Sequence, residues 1–377
     1  MVIYLDHNAT TPALPEVREA MMPYLSEEWG NPSSAYRFGS HLKSKIEEAR
    51  EQAAVLIGCK TPQEVLFTSG GTESNNTALH AVIHSTQKMH IITSQVEHSS
   101  VLSYCRFLEE FRGYQVTYLP VDRHGLISMA DLEAAVQPGT ALVSLMWANN
   151  ETGVLFPVEE IGRICRSKNV LYHCDAVQAV GKLPMKVADL PIDYLSLTGH
   201  KIGAPKGIGA LYVQSKAPFV PFVQGGHQEH SRRGGTENVA SIIGFGTAAA
   251  MAQNKLPTYE ATVRRLRDAL ENGILDTISD CRVNGNKTKR LANTSNLFFR
   301  GLDNDATLTF LDKSGIFASS GSACMGSAIS PSHVITAMTG SHSHASESIR
   351  FSLSAQNTME EVEITVRKLR EFAELVR

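Results

Sequence analysis

The sequence predicts an α/β fold, with a large domain built on a mainly parallel sheet and a smaller α+β domain after it. Three observations predict this. Short β-type runs alternate with helix-like segments up to about residue 240. Those runs are apolar with little alternation, as strands covered on both faces are. Near Ser241 the rhythm gives way to one long helical stretch, then strand-like pieces and a last helix. A chain of 377 residues is long enough for both domains.

Seven runs read as strands of the large sheet: Glu64–Thr68, His90–Thr93, Val116–Leu119, Ala141–Leu145, Val170–His173, Tyr194–Leu197 and Gly209–Val213. Helical patterns such as Met129–Val136 and Val158–Lys168 lie between them. A sheet of this kind carries ligands at the carboxyl ends of its strands. The stretch Ser241–Ile278 reads as a helix spanning the domain boundary, placed at about residue 255. Residues 1–255 then form the large domain, with about 1–14 packing on the small one, and 256–377 form the small domain. The basic run Arg264–Arg267 reads as a solvated helix face. Strand-like Thr294–Phe299, Ile316–Ser319 and Ile349–Leu353 follow, and Met359–Val376 reads as the last helix.

Lys and Arg number 35 against 38 Asp and Glu, a formal net charge of −3, so neither nucleic acid nor an anionic membrane is expected as a partner. The start, Met1–Asp6, has no basic region and no long apolar region, so no signal peptide is expected. The longest apolar run, around Ala141–Ala148, falls far short of the roughly 20 residues that span a bilayer. The cytoplasm is the expected compartment. Cysteines at 59, 105, 165, 174, 281 and 324 form no C-x-x-C pair, which argues against a disulfide framework or a zinc site. Most should be buried, inert thiols. His342 and His344 are expected on an exposed loop rather than in a metal site.

The chemistry starts at Asp175 and Lys201. An acid ends one apolar run, Tyr172-His-Cys-Asp175, and a lysine follows another, Leu197-Thr-Gly-His-Lys201. A lysine for a Schiff base and an acid that keeps a pyridine nitrogen protonated are the groups a pyridoxal 5'-phosphate (PLP) enzyme needs most. Thr68–Asn76 supplies Gly70, Gly71 and Thr72 between a strand and a helix, as an anion site or as a plain capped turn. It is not a P-loop. His98, past the strand at His90, could face an aromatic cofactor and exchange protons, or simply start a helix. Asn149–Gly153 offers amides for a ligand or for a turn. Gly225–Asn238, with four glycines, Arg232, Arg233 and Thr236, suits a loop that closes over phosphate or a bland connection. Ala318–Cys324 puts a thiol on a Ser/Gly-rich loop, the best candidate for a reactive cysteine. Arg350, between apolar neighbours, needs an anion: a substrate carboxylate or an internal salt bridge.

Together with Tyr4–Pro12 and Gly30–Ser34, these elements resemble, in order and spacing, the cysteine desulfurase family. These are NifS/IscS-like enzymes of the class-V aminotransferase group, with the PLP fold-type I (aspartate-aminotransferase-like). The resemblance covers essentially the whole chain. It implies a PLP enzyme that converts L-cysteine to L-alanine and passes sulfur, as a persulfide on Cys324, to an acceptor protein. It makes Lys201 the Schiff-base lysine, Asp175 the partner of the pyridinium nitrogen and Gln178 that of the ring hydroxyl. His98 would stack on the ring. Gly71, Thr72, Thr198 and His200 would hold the phosphate, with Thr236 reaching it from the other subunit of a homodimer. Asn150 and Arg350 would hold the substrate carboxylate. Iron–sulfur cluster biosynthesis, tRNA thiolation and DNA phosphorothioation all draw on such enzymes.

Three departures stand out. Ser354 replaces a usual glycine, and Tyr36 replaces a usual histidine. The chain also ends at Arg377, where relatives that serve iron–sulfur scaffolds often carry a longer docking tail. This counts against scaffold delivery more than against catalysis. The alternatives are selenocysteine lyase, an aminotransferase, or a catalytically silent sulfur-transfer adaptor.

Overall fold

The computed structural model describes residues 2–321 and 331–376, so Cys324 lies outside the described residues. A seven-stranded sheet forms the centre. Its spatial order is Val65–Thr68, Gly209–Val213, Tyr194–Thr198, Leu171–Asp175, Thr140–Ser144, His90–Ser94 and Gln115–Leu119. These are the seven expected strands, with ends moved by one or two residues. All neighbours run parallel except at Gly209–Val213, which is antiparallel to both strands beside it. The connection 199–208 explains the exception, because it is shorter than the dozen or more residues that a parallel crossover needs.

Both faces of the sheet are covered. Helices Gly71–Ile83 and Ser99–Arg112 bury Leu79, Val82, Val101 and Leu108 against Leu66, Ile91 and Leu142. On the other face, Leu42–Ile57, Val158–Ser167 and the first part of Val239–Thr277 join a larger core with Phe67, Val143 and Leu195. The long helix then changes partners. Its buried residues up to Ala249 belong to the large core, and from Val263 onward they pack with Phe299, Phe351 and Leu369 in a second core. Pro257 lies between the two stretches, where its missing N–H leaves the carbonyl four residues earlier without a helical donor.

The second core carries an antiparallel sheet ordered Ser348–Ser352, Thr294–Phe299, Cys281–Asn284. Ile3–Tyr4 pairs in parallel with Ile316–Phe317, and Ile3 and Leu5 join the second core. The start of the chain is thereby tied down, and residues 6–9 run on towards the large sheet.

Two expectations need correcting. The solvated face at Arg264–Arg267 does not include Arg267, which is buried and donates from Nη1 to the carbonyls of Leu291 and Thr294. His342–Ser346 is a short helix rather than a loop. There His344 stacks on Phe298 at 3.9 Å between ring centroids, and its Nε2 meets Asn284 Oδ1 at 2.8 Å. Among the described residues, no helix is long and apolar enough to cross a membrane.

Candidate active site

A cavity of about 360 Å³ opens at the carboxyl ends of the central strands. Gly71, Thr72, His98, Asn150, Asp175 and Gln178 line it, with Thr198, His200, Lys201 and Arg350 completing the wall. Sequence-distant candidates therefore converge on one space. Thr236 does not; it lines a separate hollow with Thr68, Gly207 and Arg233.

Local structure explains how each group is held. Helix Gly71–Ile83 begins after Gly70, whose φ of 154° suits glycine, and no side chain caps it. Its first amides thus face the cavity mouth without a side-chain acceptor, the usual setting for an anion. Asp175 ends its strand, with Oδ2 accepting from Asn75 Nδ2 at 2.7 Å and Oδ1 from the Val177 amide at 3.0 Å. His98 is itself the N-cap of Ser99–Arg112: its Nδ1 accepts from the Ser100 amide at 3.2 Å. That bond puts the proton of the neutral ring on Nε2. Burial lowers the His98 pKa, Asp175 opposes this, and Lys201 and His333 add to it. Burial, followed by the nearby Lys201, brings His200 down to about 4, and its Nδ1 meets Thr10 Oγ1 at 3.1 Å.

Lys201 ends the short turn Gly199–Lys201, with Nζ 2.5 Å from the carbonyls of both Asn8 and Ala9. Arg350 sits in the middle of Ser348–Ser352 and is buried. Its Nη2 contacts Asp6 Oδ1 at 2.5 Å, its Nη1 donates to the Asn150 carbonyl at 3.0 Å, and its Nε has no partner. The arginine therefore has its internal salt bridge, and its Nε is buried without a hydrogen-bond partner among the described residues.

The segment leading to Thr236 is held under strain. Glu229, His230 and Ser231 all take positive φ, a left-handed turn that costs side-chain-bearing residues about 1–2 kcal/mol each. The buried pair of Glu229 with Arg50, together with the Phe67 amide on Glu229 Oε2, fixes it.

Sequence reasoning missed Asn8, Asn75 and Ser100. Asn75 sits one helical turn beyond Gly71, so its 3.6-residue spacing was a usable signal. Asn8 lies in the Tyr4–Pro12 stretch that carries the resemblance, yet no local pattern marks its place here: it enters the site through contacts with residues 142 to 286 positions away.

Behind His98, Glu97 is fully buried; Oε1 accepts from Ser94 Oγ and the Met146 amide, while Oε2 has no partner among the described residues. Burial pushes this carboxyl up to about 8, and Asp175 adds to the rise against those hydrogen bonds. The folded chain thus holds a proton that the unfolded chain releases near 4.5. Stability from this group falls as pH climbs between those values and is flat above them. Glu97→Gln keeps the shape without the titration. Its melting temperature should gain on the wild type steadily from about pH 5 to about pH 8. Parallel melting curves across that range would refute the assignment.

No cysteine among the described residues lines the cavity. Burial pushes the thiols of Cys105 and Cys165 up to about 12 and that of Cys59 to about 11, and it raises that of Cys174 well above its ordinary value. Such thiols are poor nucleophiles at neutral pH. Gly321, three residues before Cys324, does line the cavity, and its backbone lies against the buried carboxyl of Glu151.

Comparison with known proteins places this geometry. The aminotransferase class-V family pattern matches residues 3–364. A cysteine desulfurase of Trichormus azollae is 48% identical over 377 residues, covering 100% of this chain and 94% of that protein. The cysteine desulfurase NifS of Azotobacter vinelandii is 44% identical over 368 residues, 97% of this chain and 91% of that protein. A solved NifS-like protein superposes with a TM-score of 0.93 at 35% identity, with 100% of both chains covered.

Proposed function

The chain belongs to the aminotransferase class-V family and is a cysteine desulfurase, and from that premise we propose which of its residues perform the reaction and how. The observation that carries the proposal is the convergence of Lys201, Asp175, His98 and Arg350 on one cavity beside an uncapped helix start.

The family is PLP-dependent, and the residues present fit that group. The open amides at Gly71 and Thr72, with Thr198 and His200, suit its phosphate. Asp175, fixed by Asn75, suits the ring nitrogen, and Gln178 suits the ring hydroxyl. His98 suits the ring face. Lys201 would be the covalent anchor. When bound, PLP supplies an electron sink that makes the Cα proton of an amino acid removable.

The chain's own residues do the rest. Arg350 and Asn150 orient L-cysteine by its carboxylate, and their shared place on the cavity wall supports this role. The Lys201 amine takes the Cα proton. The Cys324 thiolate attacks the substrate sulfur. One S–S bond forms and the Cβ–S bond breaks. Its electron pair stays with carbon, and protonation of the carbon skeleton gives L-alanine. The persulfide on Cys324 then passes to an acceptor protein. His98 Nε2 is available for proton exchange with the incoming thiol. Thr236, outside its own chain's cavity, is assigned to the phosphate of a partner subunit in a homodimer.

The test is turnover of L-cysteine by PLP-loaded protein. Alanine should form mole for mole with sulfide in the presence of a thiol reductant. Without reductant, a single turnover should leave the sulfur on the protein. Keto-acid formation without sulfur release would overturn the reading.

A further inference from the structure

Lys182 is a buried amine that the chemistry above leaves unused. It is 7% exposed and makes no ion pair among the described residues. Its Nζ lies 2.8 Å from Gln178 Oε1 and 3.1 Å from Asn8 Oδ1. Burying an amine without a counter-ion is costly, so those two bonds call for an explanation. Burial, with Lys201 and Arg350 nearby, brings Lys182 down to about 7. Even the neutral amine keeps two N–H donors, enough for both oxygens.

The consequence lies in the direction of the amides. A side-chain amide offers oxygen at one end and N–H at the other, and its partners decide which way it points. Lys182 holds the oxygen end of Gln178. At the other end, the Asn8 carbonyl accepts one Nε2–H at 2.9 Å. Both partners prescribe one orientation, and the second Nε2–H is left for the cavity that Gln178 lines. Asn8 is fixed in the same way. Its Oδ1 accepts from Lys182 and from Asn293 Nδ2 at 2.9 Å, so its Nδ2 points to the Asn150 carbonyl and Thr294 Oγ1. The same Asn8 backbone carbonyl receives Lys201 Nζ.

We propose that Lys182 is a positioning residue that, by donating to Gln178 Oε1, makes Gln178 present an N–H to the cavity and thereby selects a ligand with an anionic ring oxygen. This inference rests on the assignment of PLP to the cavity.

The test is a double-mutant cycle on apoprotein titrated with PLP, read by affinity and by the visible absorption band of the bound cofactor. Lys182→Met removes the donor. It should weaken PLP about ten-fold and shift the band, the scale of one hydrogen bond to a charged group. Lys182→Gln, whose amide can offer either end, should lose about three-fold. In a Gln178→Leu background, both substitutions should change little. An unchanged affinity and spectrum in Lys182→Met would overturn the proposal, as would a loss that persists undiminished in Gln178→Leu. If Lys182→Met does not fold, Lys182→Gln answers the same two questions. Wild-type protein that takes up no PLP at all would instead remove the assignment beneath it.

Discussion

Replacing Lys201 with alanine is expected to cut L-cysteine turnover by roughly 10³-fold or more, the scale expected of the general base that the proposal makes it. The purified variant should also lack the absorption of covalently anchored PLP. Two features give this its size. Lys201 follows the carboxyl end of the central strand Tyr194–Thr198, where the sheet delivers its ligand-facing groups. The other lysine close by, Lys182, is committed to Gln178 and Asn8. Added amines should restore part of the proton transfer and none of the anchoring. Lys201→Ala protein that turns over L-cysteine at the wild-type rate would refute the assignment.

Some of the site was legible in the sequence, and the reason is physical. Asp175, His98, Thr198 and Lys201 sit at or just past strand ends, and buried strands announce themselves as short apolar runs. Once the runs are found, the rule that ligands collect at carboxyl edges locates the residues that follow them. Strand direction is less legible. The residues of Gly209–Val213 look like any other buried strand, and only the short connection before it shows that it runs backwards. Buried polar residues are the least legible. Arg267 lies in a basic run that reads as surface, yet carbonyls from two later segments bury it. Asn8 and Glu97 likewise gain their roles from groups far away in sequence, and no local period encodes that.

The second large effect is expected at Cys324. Cys324→Ala should lower alanine and sulfide production from L-cysteine by roughly 10³-fold or more, the scale on which loss of a covalent nucleophile is felt. It should leave PLP affinity and absorption as in the wild type. That split distinguishes it from Lys201→Ala, which loses the cofactor's anchoring as well. The choice of thiol follows from reach and reactivity. Gly321, three residues before Cys324, lines the cavity, and three residues of chain span at most about 10–11 Å. Cys59, Cys105, Cys165 and Cys174 are held as thiols by burial, and Cys281 lies in the small sheet's edge strand, outside the cavity. Mass mapping after one turnover without reductant should therefore find the added sulfur on Cys324. Finding it on Cys105 or Cys174 instead, or full activity in Cys324→Ala, would mean that a thiol pushed far above neutrality can still attack.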